Sequence, residues 1–157
     1  MGSTFHGDGK FRAPKSLQLS HDEVRAGFVR ATMGGGPIAA AAKRLAKISL
    51  PHFDGEEKFV FPVLGLLPDL KNGFVQQEMA DLLPLIADFR TRFDSLEKQH
   101  ESIRSAIENL LEASHRSNNR EVAKFAYNLR IHERIEDEVI FPAVMLIGNY
   151  LRERLAV

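Results

Sequence analysis

The segment His132-Glu133-Arg134-Ile135-Glu136-Asp137-Glu138-Val139-Ile140-Phe141-Pro142 repeats, without a gap and at an offset of 80, the pattern of His52-Phe53-Asp54-Gly55-Glu56-Glu57-Lys58-Phe59-Val60-Phe61-Pro62. Each copy sets a His and a Glu four residues apart and ends in Phe-Pro. On an α-helix that spacing puts the two groups about 40° apart around the axis and ~6 Å along it, so both can face one site. A second repeat, at an offset of 79, matches His21-Asp22-Glu23-Val24-Arg25 with His100-Glu101-Ser102-Ile103-Arg104. The chain therefore reads as two copies of one helical hairpin.

Around these motifs apolar residues recur at helical spacing. Leu17, His21, Val24, Phe28 and Ala31 make the first stripe, closed by Gly34-Gly35-Gly36, and Pro37 suits the first turn of the next helix. The second stripe is Ile38, Ala41, Leu45, Ile48, His52, Glu56, Phe59, Val63 and Leu66, with kinks expected at Pro51 and Pro62. Leu67-Pro68-Asp69 and Asn72-Gly73 break the pattern, and a short helix is expected before Pro84. The long helix that follows carries Phe89, Phe93, Leu96, His100, Ile103, Ile107 and Leu110. Ser117-Asn118-Asn119 marks another turn, and the last stripe is Val122, Phe125, Leu129, His132, Glu136, Val139, Ala143 and Leu146. No segment reads as a strand.

Four amphipathic helices can bury their stripes only against one another. This predicts an all-α fold, an antiparallel up-down four-helix bundle built from an internally duplicated helical hairpin. The bundle is expected over residues 17–157. Ahead of it, residues 1–16 are rich in Gly, Ser and Lys without helical periodicity, and read as an arm lying on the domain or partly disordered.

Composition narrows the chemistry. The 157 residues suit one soluble globular domain, and the absence of Cys rules out iron–sulfur clusters, Cys-ligated zinc and thiol catalysis, leaving nitrogen and oxygen donors for any metal. Twenty-one basic side chains balance 21 acidic ones without a long basic run, so nucleic acid and anionic lipid are not expected partners. The longest apolar stretch, Phe59 to Leu67, contains a Pro and falls far short of the ~20 residues that cross a bilayer. Lys10, Arg12 and Lys15 have no apolar segment behind them as a secretory signal would, and His6 stands where a myristoylation signal needs Ser or Thr. A cytoplasmic location is the expectation.

Four of the six His residues, His21, His52, His100 and His132, fall on core stripes, one per helix, and two stripes also carry Glu56 and Glu136. An unpaired buried carboxylate is costly and is normally neutralised or bound to a cation. Metal ligation accounts for all six residues at once, and two hairpins related by an approximate two-fold axis would bring two His pairs and two carboxylates together, a geometry for two metal ions. His6 lies in the arm and His115 about 22 Å along the axis from His100, so neither is read as a ligand.

The order of His, then His-x-x-x-Glu with Phe-Pro, given twice, resembles the hemerythrin-like family, the HHE cation-binding domain, over about residues 17 to 147. The resemblance implies a non-heme di-iron centre inside a four-helix bundle. His21 and His52 would bind one iron and His100 and His132 the other, with Glu56 and Glu136 bridging. The sequence departs from the oxygen-carrying members twice. They have a second His one turn from the first on the third helix, where Leu96 and Arg104 flank His100 here. They also place an Asp five residues after the last His, and Asp137 stands at that spacing. A regular helix and the internal repeat favour Glu136, whereas a widened turn, eased by the missing N–H of Pro142, would favour Asp137.

Arg25 and Arg104, each four residues after a proposed ligand, read either as snorkelling side chains or as hydrogen-bond donors to the bridging carboxylates. Phe53, Phe59, Phe61 and Phe141 read as core residues that would also keep such a site dry. A ferritin-like di-iron bundle needs Glu-x-x-His on two helices, and only Glu97-Lys98-Gln99-His100 fits. Zinc usually takes four ligands, fewer than are present, while manganese is compatible with the same donors.

Two His and two bridging oxygens give each of two iron ions four protein ligands of a possible six. An oxo, hydroxo or water bridge would fill one more, leaving room for a diatomic molecule or peroxide. The resemblance thus implies binding or sensing of oxygen or a related small oxidant. The alternatives are a di-iron enzyme reducing peroxide or nitric oxide, and a metal-dependent iron sensor acting through a partner.

Overall fold

The computed structural model describes residues 11–156. Helix α1 spans Lys15–Met33 and ends at the glycine run, where Gly35 and Gly36 take φ of 70° and 65°, a left-handed turn that side chains disfavour. Helix α2 covers Gly36–Phe59 with Pro37 in its first turn. Two single turns follow, α3 (Phe61–Leu64) and α4 (Leu67–Leu70), then a 3₁₀ turn at Gln77–Leu82. Helix α5 is the longest, Leu83–Arg116, with Pro84 in its first turn. Asn118 turns the chain with φ of 49°, and the Asn119 side chain accepts the N–H of Val122 (3.1 Å) to cap α6, Arg120–Ile135. A π turn, Glu136–Ile140, joins α6 to α7, Phe141–Leu155. There is no strand among the described residues, and no helix among them is long and apolar enough to cross a membrane.

Helix α1 packs on α2, α2 on α5, α5 on α6, and α1 meets α6, closing a ring. Inside it lie two apolar clusters. One contains Phe28, Leu45, Phe53, Ile103, Ile107 and Leu129; the other contains Phe61, Leu66, Met79, Phe89, Phe141 and Val144. Each stripe passes from one cluster to the other through a polar position. His100 lies between Leu96 and Ile103, and His132 with Glu136 between Leu129 and Ile140. The His and Glu residues therefore form a polar layer between two hydrophobic ones.

The structure departs from the expected helices in two places. The second stripe does not continue to Leu66 on one helix: α2 stops at Phe59, Pro51 sits within it, and Pro62 opens α3, where a missing N–H costs nothing. The last stripe changes phase. Within the π turn the N–H of Phe141 bonds the carbonyl of Glu136, five residues back, adding one residue to the turn. Val139 and Leu146, assigned to the core by regular spacing, are consequently 59% and 68% exposed, and Ile140, Val144, Ile147 and Leu151 are buried instead. Pro142 accounts for the location, since a helix that cannot donate at that residue loses little by widening just before it.

Most of the arm expected at residues 1–16, including His6 and Lys10, lies outside the described residues. Phe11 and Ala13 pack against the second cluster, and the Arg12 carbonyl comes so near Gly65 that a Cβ there would sit 2.3 Å from it.

The phase change is testable by urea unfolding followed by circular dichroism. Ile107→Ala, which opens a hole in the first cluster, is expected to cost about 2–5 kcal/mol. Val139→Ala should change stability by no more than ~0.5 kcal/mol. A loss at Val139 comparable with that at Ile107 would return it to the core.

Candidate metal centre

Helix α1 brings His21 to the polar layer, α2 brings His52 and Glu56, α5 brings His100 and α6 brings His132, with Glu136 opening the π turn. Their inward atoms fall into two groups, His21 and His132 with both carboxylates, and His52 and His100 with the same two carboxylates. Glu56 turns Oε2 to His21 Nε2 and Oε1 to His52 Nε2, each at 3.4 Å. Glu136 sets Oε1 2.6 Å from His132 Nε2 and 3.8 Å from His21 Nε2, and Oε2 3.4 Å from His100 Nε2 and 3.8 Å from His52 Nε2. Each buried carboxylate thus divides its oxygens between the two groups.

The His pairs differ from those the resemblance implied. His21 neighbours His132, with ring centroids 5.2 Å apart, and the Nε2 atoms of His52 and His100 are 2.8 Å apart. Both arrangements satisfy a two-fold relation between hairpins. The inward atoms decide: His21 and His132 share one group and His52 and His100 the other, so each group forms between the hairpins rather than within one.

All four imidazoles point Nε2 inward and Nδ1 outward, and every Nδ1 has a partner. His21 meets Glu57 (2.9 Å), His100 meets Asp137 (2.7 Å), His52 meets Gln99 (3.1 Å) and His132 meets Ser20 (3.1 Å). The duplication extends to these partners. Ser20 and Gln99 each precede a repeat histidine, and Glu57 and Asp137 each follow a repeat glutamate. Such outer bonds fix which ring nitrogen is free to ligate and how the ring is turned.

Arg25 and Arg104 complete the outer layer, but not on the inner carboxylates. Arg25 donates to Glu57 (2.6 Å) and Asp54 (2.9 Å), and Arg104 to Asp137 (2.8 Å). Burial pushes the Glu57 carboxyl up, yet Arg25 and His21 beside it outweigh that and hold it below its ordinary value. Asp137 therefore stands outside the cluster, on the outer nitrogen of His100. The reason is where the extra residue falls: the π turn begins at Glu136, so the His132–Glu136 spacing stays α-helical and the widening comes after it.

Phe53 and Phe61 pack 4.6 and 4.7 Å from the His21 ring, and Phe141 stacks on His100 at 5.2 Å. Phe59 does not join them. It is partly exposed beneath Lys58 and Arg92, and lines a cavity of about 220 Å³ between α2 and α5 that reaches His52 and Glu56 past Leu96. A groove of about 580 Å³ between α1 and α6 reaches His132 past Val24, Phe125 and Ile135. Glu97 and His115 are both exposed, and Gln99, not Glu97, faces the centre's ligand layer. Among the described residues one buried ionisable side chain escaped the sequence reading: Glu133, whose repeat equivalent is the apolar Phe53. Its helical phase, four residues beyond Leu129 and three before Glu136, was the available signal.

The hemerythrin HHE cation-binding domain matches residues 15–144, a span that takes in all four histidines and both bridging-position glutamates. The chain belongs to the hemerythrin HHE cation-binding domain family. No curated protein and no solved structure gives a significant match.

The chemistry of this HHE domain's interior suits cations. Apart from the His–Glu contacts within the layer, His21 Nε2, His132 Nε2 and both oxygens of Glu56, Glu133 and Glu136 are buried without a hydrogen-bond partner. Burial alone would favour neutral imidazoles, but the facing carboxylates overcome it, raising His21 to about 9 and His52 to about 11. Against the same desolvation, His132, His21 and His52 hold Glu136 well below the ordinary carboxylate range. In a layer this dry, the anionic oxygens require positive charge, supplied by protons on imidazole or by a metal ion. The donors are all nitrogen and oxygen, and the residues fit the cations that the family name specifies.

Substitution separates Glu136 from Asp137. Glu136→Ala removes a carboxylate that faces both groups and should lose bound metal. Asp137→Ala frees only the outer face of His100 and should keep it, with affinity weakened about 10–100-fold. Equilibrium dialysis against ferrous iron with elemental analysis would decide, and the reverse pattern would make Asp137 the bridging residue.

Proposed function

We propose that this chain is a non-heme di-iron protein that binds or senses oxygen or a related small oxidant, its centre held in an antiparallel up-down four-helix bundle. The observation that carries this reading is the division of oxygens: Glu56 and Glu136 each turn one toward His21 and His132 and the other toward His52 and His100. In this assignment each His pair, with oxygens of Glu56 and Glu136, would hold one iron, and an oxo, hydroxo or water ligand would complete the centre. An iron pair bound there supplies redox chemistry and positions open to a diatomic molecule or peroxide.

The chain's own residues do the rest. Glu57, Asp137, Gln99 and Ser20 hold the imidazoles at Nδ1, so that Nε2 faces inward. Phe53, Phe61 and Phe141 exclude water from the rings. The groove at His132 and the cavity at His52 bring open space up to the outside of one histidine of each pair. Balanced charge argues against nucleic acid as a partner, and the absence of Cys accords with a reducing, cytoplasmic setting. The alternative reading is a di-iron enzyme reducing peroxide or nitric oxide, which would use the same ligands.

Metal analysis of protein isolated without chelators should find about two iron atoms per chain; a single tightly held zinc without iron would sink the proposal. With Leu96 in place of a second imidazole beside His100, reduced protein mixed with oxygen in a stopped-flow spectrometer should give no long-lived adduct. An adduct persisting for many minutes would contradict this. Repeated consumption of peroxide or nitric oxide would favour the enzyme, and loss of helix on chelation without response to any of the three would favour a metal-dependent sensor.

A further inference from the structure

Glu133 has no task in the centre described so far, and its surroundings are unusual for an idle carboxylate. It is 1% exposed, neither oxygen has a hydrogen-bond partner, and Oε2 lies 3.5 Å from His100 Nε2. The corresponding residue of the other hairpin is Phe53, whose ring packs 4.6 Å from His21. The duplication holds for the four histidines, the two inner glutamates, the two outer acids and the two arginines, and breaks here. One repeat histidine faces a phenyl ring and the other a carboxylate. Helix α5 offers no donor one turn before His100, since Leu96 stands there.

We infer that Glu133 is a fifth protein ligand to the ion held by His52 and His100, so that the two metal positions are chemically unequal. The inference rests on the two-metal reading above. One ion then has two imidazoles and three carboxylate oxygens, the other two imidazoles and two oxygens. The additional anion favours the more highly charged state of the first ion. With one carboxylate fewer, the position of His21 and His132 would keep one more coordination place for a small ligand.

The test loads the full chain anaerobically with ferrous iron enriched in the Mössbauer isotope and compares it with Glu133→Gln, which is nearly isosteric, and Glu133→Phe, which installs the residue of the other repeat. Circular dichroism checks that each variant folds, and the glutamine variant carries the test if the phenylalanine variant does not. Wild type is expected to show two quadrupole doublets of equal area and distinct parameters. The variants should draw these toward one another and release one of their two ions at a chelator concentration at least about tenfold lower. Two irons per chain in a single doublet, or variants with wild-type spectra and retention, would overturn the role of Glu133 and leave the di-iron reading standing. A wild-type chain that takes up no pair of ions would overturn both.

Discussion

Two carboxylates buried in one dry layer repel each other and have lost the water that would have screened them, so they can stay ionised only where positive charge is built in around them. Glu56 and Glu136 are in this position, and the rest of the molecule is arranged about them. Four helices each deliver one imidazole to the layer. Apolar clusters on either side keep water out and thereby strengthen every interaction inside. Because no neutral or hydrated alternative is at hand, the layer is selective for cations in a way that the same residues on a surface would not be.

Precision comes from outside the layer. A histidine with a free outer nitrogen can rotate or change tautomer, and a ring turned the wrong way offers a C–H where a donor is required. Glu57 and Asp137, each tethered by an arginine, hold two rings, and Ser20 and Gln99 hold the others. Ser20 acts on His132 and Gln99 on His52, each from the opposite hairpin, so orientation of those two rings depends on both hairpins being docked, whereas His21 and His100 are held from within their own.

The helices, the turns at Gly34–Gly36 and Ser117–Asn119, and the four histidines with Glu56 and Glu136 were legible in the sequence, because spacing of four residues and a duplicated motif are local signals. Four things were not. The partner choice of the histidines depends on where their inward nitrogens meet in three dimensions, and both choices satisfy the repeat. The exposure of Val139 and Leu146 follows from one extra residue in the π turn; Pro142 hinted at that widening, but no periodicity marks its register. Glu133 was hidden by the repeat itself, which aligns it with a phenylalanine. Arg25 and Arg104 were picked out by position, but their target was one residue further along, on Glu57 and Asp137.

The break between Phe53 and Glu133 also bears on how such a chain could have arisen. Two identical hairpins paired as a homodimer must carry every side chain twice, so a glutamate beside one histidine would appear beside its mate as well. Fusion into one polypeptide removes that restriction. Each half can then mutate alone, and a centre that began with interchangeable halves can acquire a left and a right. Covalent joining in this HHE domain therefore does more than raise the effective concentration of one hairpin for the other: it lets the surroundings of two histidine pairs differ where symmetry would otherwise keep them the same.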